Sequence, residues 1–154
     1  MRVLCLDQAT KVSGYSVWDN GKLVKYGHIS SDVRENNPFL RMRIMGNKIV
    51  ELLKKYSPDY VGIEGVVFQR NYCTYSQLSQ MQGVIFEILF ENEIQFTVIE
   101  ASAWKSFCGI KGKKRVEQKL NTIKMVKEKF GLDVTEDEAD AIGIGMAVCN
   151  RVEE

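Results

Sequence analysis

The chain has 154 residues, 45% of them apolar and 27% charged, with a formal net charge of +1. This balance suits one globular domain over residues 1–154 and leaves no room for a second. No apolar run approaches the roughly eighteen residues needed to cross a bilayer, and the opening MRVLCLD meets an acid too early for a secretory signal, so a soluble, cytoplasmic protein with no membrane partner is expected. The four cysteines (Cys5, Cys73, Cys108, Cys149) form no CxxC pair and there is one histidine, which argues for free thiols and against a zinc or disulfide scaffold.

In chain order, RVLCL is a short apolar run, SGYSVWD alternates, and KLVKYGHI follows Asn20-Gly21, a strong hairpin signal. These predict three antiparallel strands. After the polar SSDVRENN, Pro38 suits a first helical turn, and Leu40, Ile44, Met45, Leu52 and Leu53 recur at helical spacing as far as Lys55. Ser57-Pro58-Asp59 ends that helix, and YVGIE reads as a buried strand. The exposed polar-aromatic segment QRNYCTYS precedes a helix from about Gln77 to Glu91; Phe96 to Ile99 predicts a fifth strand. A short helix near Ser102 to Phe107, the loop GIKGKK, a basic helix from about Arg115 to Lys129 and a final helix after Thr135 complete the chain. The order predicts an α/β fold: a mixed five-stranded sheet, three antiparallel strands followed by crossover strands, with helices on both faces.

The net charge conceals an asymmetry. Residues 1–100 balance, residues 101–130 carry +7, and residues 131–154 carry −6. Two solvated helix faces would account for either block alone.

The acids supply a sharper signal. Asp7 ends the first strand, Glu64 ends the fourth, and Asp137 and Asp140 open the last helix, where Thr135 and Glu138 have capping-box spacing that sets the two aspartates on one face. Asp137 alone would be an ordinary helix-dipole acid and Asp140 a solvated one. Asp7 and Glu64, each closing an apolar strand, are costly to bury unless paired or metal-bound. Four carboxylates brought together repel one another unless cations neutralise them, and hard divalent ions such as Mg²⁺ prefer such an oxygen-only site. A pair of ions there suits phosphodiester hydrolysis.

LCLDQATKVSGYSVWDNGK, PDYVGIEGVVF and EDEADAIGIGMA together resemble the RuvC-type Holliday junction resolvases of the ribonuclease H-like superfamily, and the element order matches over nearly the whole chain. The resemblance implies a homodimeric, Mg²⁺-dependent endonuclease that nicks opposing strands of a four-way DNA junction. Two ions per site, replaceable by Mn²⁺, would be held by Asp7, Glu64, Asp137 and Asp140, with Lys105 beside the scissile phosphate. DNA contacts are expected from Phe68, Arg70, Lys105, Lys111, Lys113, Lys114 and Arg115. The family's Asp-Pro-Gly-Ser after strand 1 reads Asp7-Gln8-Ala9-Thr10 here, and its junction-wedging phenylalanine is displaced by one position onto Phe68.

The stripe Leu78, Met81, Ile85 and Leu89 fits either core packing or the dimer interface the family builds from this helix. Lys119, Lys124 and Lys127 are expected on a solvated helix face, and His28 as a partly buried strand residue. An actin- or sugar-kinase-like ATPase shares the opening strand–Asp–hairpin pattern but needs two lobes; a broader branched-DNA nuclease is the nearer alternative. Nothing in the sequence identifies a helicase partner.

Overall fold

The computed structural model describes residues 1–32 and 34–154; Val33, within the polar connection after the third strand, lies outside them. Strands β1 (Arg2–Asp7), β2 (Val12–Asp19) and β3 (Lys22–Ser30) form the meander. Its tight turn places Asn20 and Gly21 at φ 49° and 75°, the left-handed pair that a two-residue hairpin requires. Helix α1 (Pro38–Tyr56) starts from Asn37, whose side chain accepts the Phe39 and Leu40 N–H groups, and ends at Ser57 in the left-handed conformation. Then follow β4 (Tyr60–Glu64), α2 (Tyr72–Glu91), β5 (Gln95–Ile99), α3 (Ala101–Phe107), α4 (Arg115–Phe130) and α5 (Glu136–Glu153).

The sheet order is β3-β2-β1-β4-β5. β1 pairs antiparallel with β2 and parallel with β4, and β4 pairs parallel with β5, the mixed arrangement that the alternation of elements predicts. The strands' two-residue period divides their side chains between two cores. Leu4, Leu6, Val17 and Ile63 pack with α1 and α2, whereas Cys5, Trp18 and Ile99 pack with α3, α4 and α5. Among the described residues no helix is long and apolar enough to cross a membrane.

Two expectations are corrected. Helix α2 begins at Tyr72, five residues earlier than expected, because Asn71 caps it through the Thr74 N–H at 3.2 Å; its first turn and a half is polar and carries no apolar period. The stripe on α2 is not a dimer interface. Met81, Ile85 and Leu89 are each 0% exposed and lie between α2, α1 and the sheet, while Leu78 is half-buried at a cavity wall. A sheet that is apolar on both faces requires a covering stripe from its own helices, and that stripe has the spacing a partner's stripe would have.

Met81→Glu or Ile85→Glu is therefore expected to lower folding stability by about 3 kcal/mol or more, the cost of an unpaired buried charge. Urea denaturation followed by circular dichroism checks it. A folded monomeric variant with native stability would restore the stripe to the surface.

Candidate active site

Parallel pairing sets Leu6 of β1 opposite Ile63 of β4, so Asp7 and Glu64 follow at equal height on the same sheet edge. Leu6 and Ile63 both belong to the α1–α2 core. The next residue on each strand must therefore face the opposite side, towards α5. Thr135 caps α5: its hydroxyl accepts the Glu138 N–H at 3.3 Å and its own N–H donates to Glu138 Oε1 at 2.9 Å. This capping box orients the first turn, and Asp137 and Asp140 point from it into the same cavity as Asp7 and Glu64.

That cavity, of about 690 Å³, is open to solvent and lined by both signs of charge. The four carboxylates share it with Lys105 from α3, Lys113 from the GIKGKK loop, Arg115 and Lys119 from α4, and Arg70 before α2. Lys105 and Arg115 act on Glu64, and Lys119 on Asp7 and Asp137. Trp104, fully buried, donates its indole N–H to Glu64 Oε2 at 3.1 Å and fixes that carboxylate. Lys105 donates to Gln118 Oε1 at 3.1 Å and lies over the Trp104 ring. Lys119 pairs with Glu136 at 2.9 Å.

Burial pushes the Asp7 carboxyl well above the usual carboxylate range, and repulsion from Asp140, Glu64 and Asp137 adds to it, with Lys119 opposing. Asp140 is raised to about 7 by burial and then by Glu64, against Lys105 and Lys119. Glu64 and Asp137 are raised by burial too, opposed by the Trp104 hydrogen bond and by Lys119 respectively. Such a set either takes up protons or a cation at neutral pH. Its donors are all oxygen, which fits a hard divalent ion. Among the described residues, no three acidic, imidazole or thiol groups are already gathered closely enough to hold an ion.

Of the other residues named from sequence, Phe68 is 77% exposed beside Tyr75, with ring centroids 5.4 Å apart. Lys111 and Lys114 are exposed on the loop next to the cavity but do not line it. Lys124 and Lys127 are solvated, as expected, in pairs with Glu128 and Asp133. Lys119 is not: with Arg115, Gln118 and Thr122 it forms the α4 face that lines the cavity. Those positions have helical i, i+3, i+4, i+7 spacing, a polar face that the sequence itself carries. Trp104 offered no such signal, because its role depends on where the chain brings Glu64. His28 is exposed, not partly buried, and its Nδ1 lies 3.2 Å from Glu138 Oε2.

A family model described as crossover junction endodeoxyribonuclease RuvC matches residues 3–150. The chain belongs to the RuvC family. A RuvC from Fusobacterium nucleatum is 31% identical over 99% of this chain and 82% of that protein, and one from Thermosipho melanesiensis is 28% identical over 99% and 98%. The solved Thermus thermophilus RuvC in complex with a Holliday junction substrate superposes with a TM-score of 0.77 at 17% identity, over 99% of this chain and 96% of that one. The fold is thus the RuvC fold over 99% of this chain, and it is membership of the RuvC family that sets aside the ATPase alternative.

All four carboxyls titrate higher in the folded than in the unfolded chain. The folded state therefore holds more protons from the unfolded carboxylate range near about 4 up to about 7 for Asp140, and stability falls as pH rises through that window. In chelator the melting temperature is expected to drop between about pH 5 and about pH 8. Asp140→Asn should flatten the drop and raise the melting temperature by about 3 °C or more at the upper pH. Calorimetry checks this; a variant that melts below the native chain there would refute the repulsion.

Proposed function

We propose that this chain is a single-domain, metal-dependent endodeoxyribonuclease that resolves four-way DNA junctions by paired symmetric nicks. The observation that carries the reading is the shared cavity: it gathers four carboxylates from β1, β4 and α5 together with cations from α3, α4 and the loop between them. The family supplies the reaction class, since the curated relatives are crossover junction endodeoxyribonucleases.

Asp7, Glu64, Asp137 and Asp140 would hold two Mg²⁺ ions, or Mn²⁺ in their place, and the ions when bound supply a water activated at neutral pH and charge stabilisation at the leaving oxygen. The chain's own residues do the rest. Trp104 keeps the Glu64 carboxylate turned into the cavity. Lys105, tethered to Gln118 and lining the same cavity as the carboxylates, would donate to a phosphate oxygen of the scissile bond. Lys113, Arg115 and Arg70 at the rim offer ionic contacts to the DNA backbone that position the strand without reading sequence. Phe68, exposed midway along the connection between β4 and α2, would stack on a base unpaired at the crossover.

Paired nicks require two such sites related by a two-fold axis, hence a homodimer. Because the α2 stripe is spent inside the subunit, the partner copy must meet other, solvent-facing residues. Sedimentation of the native protein on junction DNA tests this; a monomer on the junction would reduce the reading to a single-cut, branched-DNA nuclease.

Asp7→Asn, Glu64→Gln, Asp137→Asn and Asp140→Asn are each expected to slow nicking by about a hundredfold or more while junction affinity persists, and Ca²⁺ should support binding without cleavage. Labelled four-way, three-way, duplex and single-stranded substrates, with Mg²⁺, Ca²⁺ or chelator, check both. Near-native cutting by two of the four variants would overturn the site.

Lys113→Ala is expected to weaken all DNA forms alike and to lower the slope of log affinity against log salt by about one. Lys105→Ala should instead depress nicking more than affinity. Salt titrations of the two variants separate these roles.

A further inference from the structure

Cross-strand register sets Asp7, Gly14 and His28 in one row across β1, β2 and β3. The first turn of α5 lies on this row. At its centre, Gly14 faces the backbone of Asp137 so closely that any Cβ there would collide with the Asp137 carbonyl. At its outer end, His28 reaches Glu138 Oε2 with Nδ1 at 3.2 Å, while Glu138 Oε1 is engaged by the Thr135 N–H. Glu138 is thus gripped from both sides, by its own helix cap and by the edge strand. Its side chain is only 13% exposed, whereas that of His28 is 48% exposed, so the contact joins a solvated imidazole to a carboxylate largely withdrawn from water.

We propose that His28 is a positioning residue for the metal site: through Glu138 it holds the first turn of α5 on the sheet and so sets how closely Asp137 and Asp140 approach Asp7. Three features favour this over simple surface decoration. The contact falls in the first turn of α5, directly after Asp137 and two residues before Asp140. It lies in the same strand row as Asp7, so a shift of the helix at Glu138 changes the separation of the carboxylates. Gly14 removes the side chain that would otherwise prop the helix away, which leaves a histidine–carboxylate hydrogen bond to define the seat at the outer end. His28 itself does not line the cavity, so it acts through Glu138 and touches neither DNA nor ion.

The inference rests on the reading of the four acids as metal ligands, and its test separates the two. Mn²⁺ binding to the native chain, His28→Leu and His28→Asn would be measured by titration calorimetry, with junction affinity in chelator and circular dichroism measured alongside. Leucine keeps bulk and loses the donor; asparagine places an amide N–H near the position of Nδ1. His28→Leu is expected to bind Mn²⁺ about tenfold more weakly, the lower end of what lost outer-shell partners cost. His28→Asn should recover to within about threefold of native on the same scale, and all three proteins should share one fold and one junction affinity. Equal Mn²⁺ binding by His28→Leu and the native chain would overturn the positioning role, as would an asparagine variant no better than leucine. A native chain that takes up no Mn²⁺ would instead overturn the metal site, and this inference with it.

Discussion

Helix α5 lies on the sheet at near-backbone distance, and the site exists because of that approach. Layers packed through ordinary side chains stand roughly 10 Å apart, as stacked sheets do; α5 meets β2 at Gly14 and Gly145 and β4 at Gly62, where a Cβ would strike Asp137, Trp18 or Val148, and meets α3 at Gly143, where it would strike Trp104. The small residues leave room for the two tryptophans, which fill the space beside them. Trp18 donates to Ser16 Oγ at 2.8 Å, and Ser16 donates to the Ala141 carbonyl at 2.6 Å, a fully buried link that ties β2 to the helix just after Asp140.

Close approach has an electrostatic cost. It gathers four carboxylates at one sheet edge, three of them substantially withdrawn from water, and every one is raised by burial. The chain answers with Lys105 and Lys119, each from a different helix, and with the Trp104 indole on Glu64. Two resident ammonium groups do not balance four carboxylates. The residual negative charge is what would draw divalent ions into the cavity, and the outlying Lys113, Arg115 and Arg70 are what would let a polyanion approach it. Part of the opposite charge of residues 101–130 and 131–154 thus meets at one site: Lys105, Lys113, Arg115 and Lys119 line the cavity with Glu136, Asp137 and Asp140, whereas Lys124 and Lys127 stay solvated.

Local signals were legible wherever their physics is local. The Asn20-Gly21 turn, Pro38 at a helix start, the Thr135–Glu138 capping box and the acids at the ends of β1 and β4 each act within a few residues, and the structure has them where the pattern puts them. The start of α2 was missed because Asn71 caps a turn with no apolar period. Lys119 was missed because a basic helix is charged on several faces, and only the packing of α4 against α5 selects which one looks inward.

Periodicity and composition by themselves determined the elements, their order, the mixed sheet and the parity that sends Asp7 and Glu64 to one face, since hydrogen-bonding geometry and side-chain alternation are properties of short segments. The tertiary structure alone decided which apolar stripe is core and which charge meets which. Met81, Ile85 and Leu89 went to the subunit's own sheet, Trp104 to Glu64, Lys119 to the carboxylates and His28 to Glu138. Each of these pairs residues from separate elements, so its formation depends on distances that only the assembled layers set.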